Sequence, residues 1–212
     1  MTDHIVSLRV GFFVGMVFAL AATTAGAPLG LGTTPLFPDI AALTSVQTNY
    51  AYDAATGQFR VTGGISQYSP NSTTSYVAGG GTGLSIIANV NSGGGLFGSP
   101  GGTLVINGVI PQIGIYAPVD LLRADLTAFG FSGATSSTVF EFTGNVTGGV
   151  LQAAFSPEVG IIINPGITSF NGSFLGDFTG SGGTVDTFRI PEPATMSLLA
   201  LAGPALLRRR RN

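Results

Sequence analysis

Few residues in this chain can do chemistry, and nearly all of them are carboxylates. Cysteine, lysine and tryptophan are absent, and the single histidine is His4. Between residues 28 and 190 there is therefore no imidazole, ammonium or thiol to serve a serine nucleophile or to ligate a catalytic zinc. Most hydrolase mechanisms are excluded on that ground. Glycoside hydrolysis by two acids remains, and it needs carboxyl groups roughly 5 to 9 Å apart. Arg123 and Asp125 point to one face of an alternating stretch and Glu141 points outward on another, so these three form the best polar patch. A solvated sheet face carrying a screened ion pair explains the same pattern more simply. No catalytic residue is assigned, and the expectation is a non-enzymatic protein.

Metal and ligand chemistry is equally sparse. Asp177 and Asp186, with the Thr and Ser between them, supply part of the six to eight oxygens that calcium takes, but lack the alternating acids of an EF-hand loop. No metal ligand and no cofactor is assigned. For carbohydrate contact, Tyr68 and Tyr76 are the candidates, because a tyrosine ring stacks while its hydroxyl hydrogen-bonds. They lie near the two ends of residues 66–83, a stretch rich in Ser, Thr, Asn and Gly that reads as a polar loop. A run of glycines at residues 79–83 precedes a strand-like pattern, whereas phosphate binding needs a helix start. Three Asn-x-Ser/Thr tripeptides, beginning at Asn71, Asn145 and Asn171, are about as frequent as composition alone predicts.

The elements that must position these residues have period two. Tyr50 and Tyr52 alternate with Asn49 and Ala51, and Phe59 and Val61 with Gln58, Arg60 and Thr62. Asp53 and Gly57 bracket the turn between them, the carboxylate as a cap and the glycine to take positive φ. Leu84, Ile86, Ala88 and Val90 give another strand, and residues 103–110 a further one, apolar on both faces and hence central in a sheet. Residues 122–131 alternate with one wet face. Phe140 and Phe142, residues 150–155, residues 159–163, the Phe170, Phe174 and Phe178 series, and residues 185–190 complete the pattern. Eight to ten short strands with glycine-rich turns predict an all-β body, an antiparallel β-sandwich or jelly-roll-like fold, over residues 26–189.

That body carries three arginines against eight acids, a net charge of −5. Neither nucleic acid nor an anionic bilayer is attracted to such a surface. The chain is nevertheless 44% hydrophobic, which argues for a folded protein and not a disordered one.

Both ends read as targeting segments. Residues 1–25 have the form of a secretory signal peptide: Arg9, an apolar run over residues 10–22, then small residues. At the other end, Pro191-Glu192-Pro193 breaks any regular structure. Fourteen uncharged residues follow, 194–207, reaching roughly 21 Å as a helix, against a hydrocarbon core of about 30 Å. Arg208, Arg209, Arg210 and Arg211 then form a cationic stop that would stay on the cytoplasmic side.

This three-part pattern over residues 190–212 resembles the PEP-CTERM sorting signal of bacterial exported proteins. The resemblance implies recognition and cutting by an exosortase-type membrane protease, after export through the secretion translocon and removal of the signal by signal peptidase. It implies transient inner-membrane anchoring through a short C-terminal apolar helix, then release to the cell surface or extracellular matrix. By association it also implies the company of exopolysaccharide, and no nucleic-acid partner. A carbohydrate-binding role is the alternative expectation.

Overall fold

The computed structural model describes residues 27–32, 36–42, 47–134 and 137–191. The expected signal peptide, residues 1–25, and the apolar segment, residues 194–207, lie outside them. The strands are β1 (Asp39–Ala42), β2 (Thr48–Asp53), β3 (Gln58–Gly63), β4 (Gln67–Asn71), β5 (Thr74–Val77), β6 (Gly79–Asn89), β7 (Gly102–Ile110), β8 (Ile115–Ser132), β9 (Val139–Gly148), β10 (Glu158–Thr168) and β11 (Phe178–Arg189). One helical turn, α1 (Gln152–Phe155), and a 3-10 turn (Pro111–Ile113) interrupt them.

The expected all-β class is what forms. The strands run in the order β10-β9-β8-β7-β6-β3-β2-β11, and β11 pairs again with β10, so the sheet closes into an eight-stranded antiparallel barrel. Closure leaves these strands no unpaired edge. β11 makes it possible by working in two halves. Phe178 to Ser181 pair with β2, while Val185 to Phe188 pair with β1, and β10 runs along both halves. β1, β4 and β5 then continue as a branch at one end of the barrel.

Alternation fills the interior. Tyr50 and Tyr52 of β2, Phe59 and Val61 of β3, Leu84, Ile86 and Ala88 of β6, and Leu104 and Ile106 of β7 are all buried. The ring of Phe59 meets Phe140 of β9 at 5.0 Å between centroids and Phe178 of β11 at 5.8 Å. Because β3 and β9 are opposed in the ring, side chains from the two walls touch and leave no lumen. Each fully buried Phe contributes about 1.5–3 kcal/mol of transfer free energy.

The hairpin of β2 and β3 forms as its sequence predicts. Asp53 Oδ1 accepts from the N–H of Ala55 at 2.9 Å and of Thr56 at 3.3 Å, and Gly57 takes a φ of 67°. Three other expectations need correction. Residues 66–83 are not a loop: they hold β4, β5 and the start of β6, with Asn71 Oδ1 capping the β4–β5 turn through the N–H of Thr74 at 2.9 Å. Residues 150–155 are not a strand, because Leu151 and Phe155 are buried four apart, the period of a helix, in and beside α1. Phe170 and Phe174 precede β11 in a loop, and with Phe178 they close the barrel's far end at centroid distances of 4.8 to 5.5 Å.

Candidate functional site

The last strand delivers the chain to Pro191, the first residue of the Pro191-Glu192-Pro193 segment. Ile190 donates its N–H to Glu158 O at 2.9 Å, and Arg189 donates to Pro38 O at 3.2 Å. Pro191 comes next, half-buried and without an N–H to extend the ladder. Glu192, Pro193 and the arginines at 208 to 211 lie outside the described residues. Among the described residues no helix is long and apolar enough to cross a membrane.

Tyr68 and Tyr76 do lie together, as cross-strand partners on β4 and β5 with centroids 6.2 Å apart. Tyr68 is only 5% exposed and its ring faces Phe155 at 6.5 Å, so it packs inward. Burial holds its hydroxyl above the usual tyrosine range. Tyr76 is half-buried. The pair forms part of the seal at the branched end of the barrel.

The polar patch read from Arg123, Asp125 and Glu141 separates into three environments. Arg123 pairs with Asp120, three residues back, and not with Asp125. Asp120 also accepts from Asn107 Nδ2 at 3.0 Å, and the Asn107 amide, with Arg123, holds its carboxyl below the usual range. Glu141 accepts from the backbone N–H of Gly30 at 3.0 Å and of Leu31 at 3.1 Å. Asp125 pairs in register with Asn145, and Glu141 lies four positions further along β9. That is about 13 Å at roughly 3.3 Å per residue, too far for a two-acid glycosidase pair.

Glu141 anchors a strap that the sequence did not announce. Residues 27–32 cross the outer face of β8, β9 and β10, with Leu29 and Leu31 half-buried against it. A Cβ on Gly130 would collide with Ala27 O and come within 2.8 Å of Leu29 N, so the strap lies directly on the sheet there. Leu31 Cδ1 comes within 3.3 Å of where a Cβ on Gly160 would stand. The signal for this was weak: a lone outward-register Glu between two core-facing Phe residues, with glycines on the adjacent strands.

Two further carboxyls are half-buried and lie diagonally across a strand pair. Asp39 of β1 shares a sheet face with Asp186 of β11, since Ala41, two residues on, pairs with Asp186. Burial, then the charge of Asp186, push the Asp39 carboxyl up to about 7. Burial raises Asp186 as well. Asp39 Oδ1 is buried with no hydrogen-bond partner. Asp177, which accepts from Ala54 N at 2.8 Å, lies beyond the opposite end of β11, so it shares no site with Asp186. Among the described residues no three His, Cys, Asp or Glu side chains come together to hold a metal ion.

A cleft of about 430 Å³ opens between residues 96–101 and the outer face of β8 and β9, with Asp125, Thr127 and Asn145 on its sheet side. Asp125 was legible in the sequence, but Asn145 and the loop wall were not, because only the β8–β9 register brings them together. Comparison with protein-family models, curated proteins and solved structures found no match for the chain.

Proposed function

We propose that this chain is an exported, non-enzymatic protein of the cell surface or extracellular matrix, sorted by Pro191-Glu192-Pro193. In this account an exosortase-type protease processes the tail while the apolar segment pauses in the inner membrane and Arg208 to Arg211 fix its orientation. The observation that carries the proposal is the position of the motif. Among the described residues, the last backbone hydrogen bond at the C-terminal end of the barrel is that of Ile190, and Pro191 follows at once. Cutting after this point would leave every barrel strand intact. A body with charge −5 and no lysine suits a crowded polysaccharide environment better than a nucleic acid or an anionic membrane.

The body itself we read as sandwich-like, a barrel flattened until its two walls touch. The 5.0 Å Phe59–Phe140 contact across the ring supports that description.

The test is the intact mass and cell fraction of the protein in its own host, with and without the exosortase. A surface or extracellular form lacking residues 1–25 and the residues beyond the motif, seen only when the protease is present, is the expected result. An uncut tail in both strains would overturn the proposal.

A further inference from the structure

We propose that the cleft beside Asp125 binds one ring of a neutral, polyhydroxylated chain, the chemistry of an uncharged polysaccharide. At about 430 Å³ it falls in the range of small-molecule sites, roughly 300–1,000 Å³. The register Asp125↔Asn145 sets a carboxylate and a carboxamide side by side on adjacent strands, with Cβ atoms about 5 Å apart. That spacing matches neighbouring hydroxyls on a sugar ring, one donating to the carboxylate and the next exchanging hydrogen bonds with the amide. Ser99 and Thr127 add hydroxyls, while Leu96 and Pro100 supply an apolar surface for the C–H face of the ring.

Charge decides the ligand class. Asp125 is half-buried and has no hydrogen-bond or ion-pair partner among the described residues, because Arg123 is committed to Asp120. Among the described residues no cation lines the cleft, so an anionic ligand would meet only the carboxylate there. Among the described residues there is no cluster of three acids nearby, so a bare metal ion has too few ligands from them. A neutral polyol satisfies the Asp125 carboxylate through charge-assisted hydrogen bonds.

The loop wall is set before any ligand arrives. Gly101 donates to Leu126 O at 3.2 Å, Phe97 to Asn89 O at 3.0 Å and Asn91 to Gly95 O at 2.9 Å. Asn91 Oδ1 in turn accepts from Gly93 N at 2.9 Å and Gly95 N at 3.1 Å. Such preorganisation lowers the ordering cost of binding. The inference stands apart from the sorting proposal, since the cleft is present whether or not the tail is processed.

The experiment is calorimetric titration of the full chain with neutral tetrasaccharides from α-glucan, β-glucan and galactan, with an oligogalacturonate as the anionic comparison. At least one neutral tetrasaccharide is expected to bind in the micromolar-to-millimolar range. Asp125→Asn and Asn145→Ala should each weaken it by about tenfold or more, as loss of a charge-assisted or paired hydrogen bond does. Thr103→Ala, in the same cross-strand row but outside the cleft, should leave binding unchanged. Absence of binding to every neutral probe, preference for the oligogalacturonate, or full binding by the Asp125→Asn, Asn145→Ala double variant at unchanged Tm would each overturn the proposal.

Discussion

Glu141, near the start of β9, receives the backbone N–H of Leu31 at 3.1 Å across 110 positions of sequence. With the matching bond from Gly30, both carboxylate oxygens are engaged in fixing the first described residues to the barrel wall. Glu141→Ala should cost about 2 kcal/mol, the ordinary value for losing hydrogen bonds to a charged group. Gly130→Val should lift the same strap by steric conflict, so the two losses should add to less than their sum. Urea unfolding measures the energies, and amide exchange should show residues 29–31 losing protection before the strands.

Stability should fall as pH rises from about 4 to about 8 through Asp39. Its carboxyl titrates near 7 in the folded barrel and at 3.8 as an unperturbed group. The native state therefore holds the proton more tightly over that interval, and the stabilisation, complete below 3.8, is lost through 7. Asp186, raised in the same direction, adds to the slope. Asp39→Asn should flatten the pH dependence of the urea midpoint and stabilise the protein above neutrality. An unchanged slope would contradict the assignment.

Asp53 should act with the opposite sign. Hydrogen bonds from Thr56, then Ala55, hold its carboxyl below 3.8, so its contribution is present above that pH and disappears as pH falls through the folded value. Asp53→Ala should lower Tm at neutral pH and have less effect in strong acid. Thermal melts at both conditions separate the two cases.

Phe59→Ala should cost about 3–5 kcal/mol, since a fully buried ring leaves a cavity that its neighbours cannot fill. Phe59 is 0% exposed and packs on Phe129, Phe140, Phe142 and Phe178. Leu175→Ala, at 79% exposure, should change stability by less than about 0.5 kcal/mol. Equal effects of the two substitutions would mean that the aromatic interior is not the core.

Sequence by itself determined what is local or compositional. The β2–β3 hairpin was legible because Asp53 and Gly57 set the turn and period two sets the faces, all within sixteen residues. The existence of β7 followed from its apolar run, although in a closed barrel it is no more central than its neighbours and buries only one face. The lack of His, Lys and Cys over residues 28–190 needed no structure at all. Tertiary structure decided whatever depends on register between distant strands. The branch at β11 turned a polar stretch into β4 and β5 and carried Tyr68 inward, because strands with few large apolar residues become strands only when neighbours supply hydrogen bonds. The same long-range pairing put Glu141 under the strap, set Asp39 beside Asp186, and left Asp125 facing Asn145 instead of Glu141. A one-residue shift of register would reverse each of these faces, and no window of sequence contains that choice.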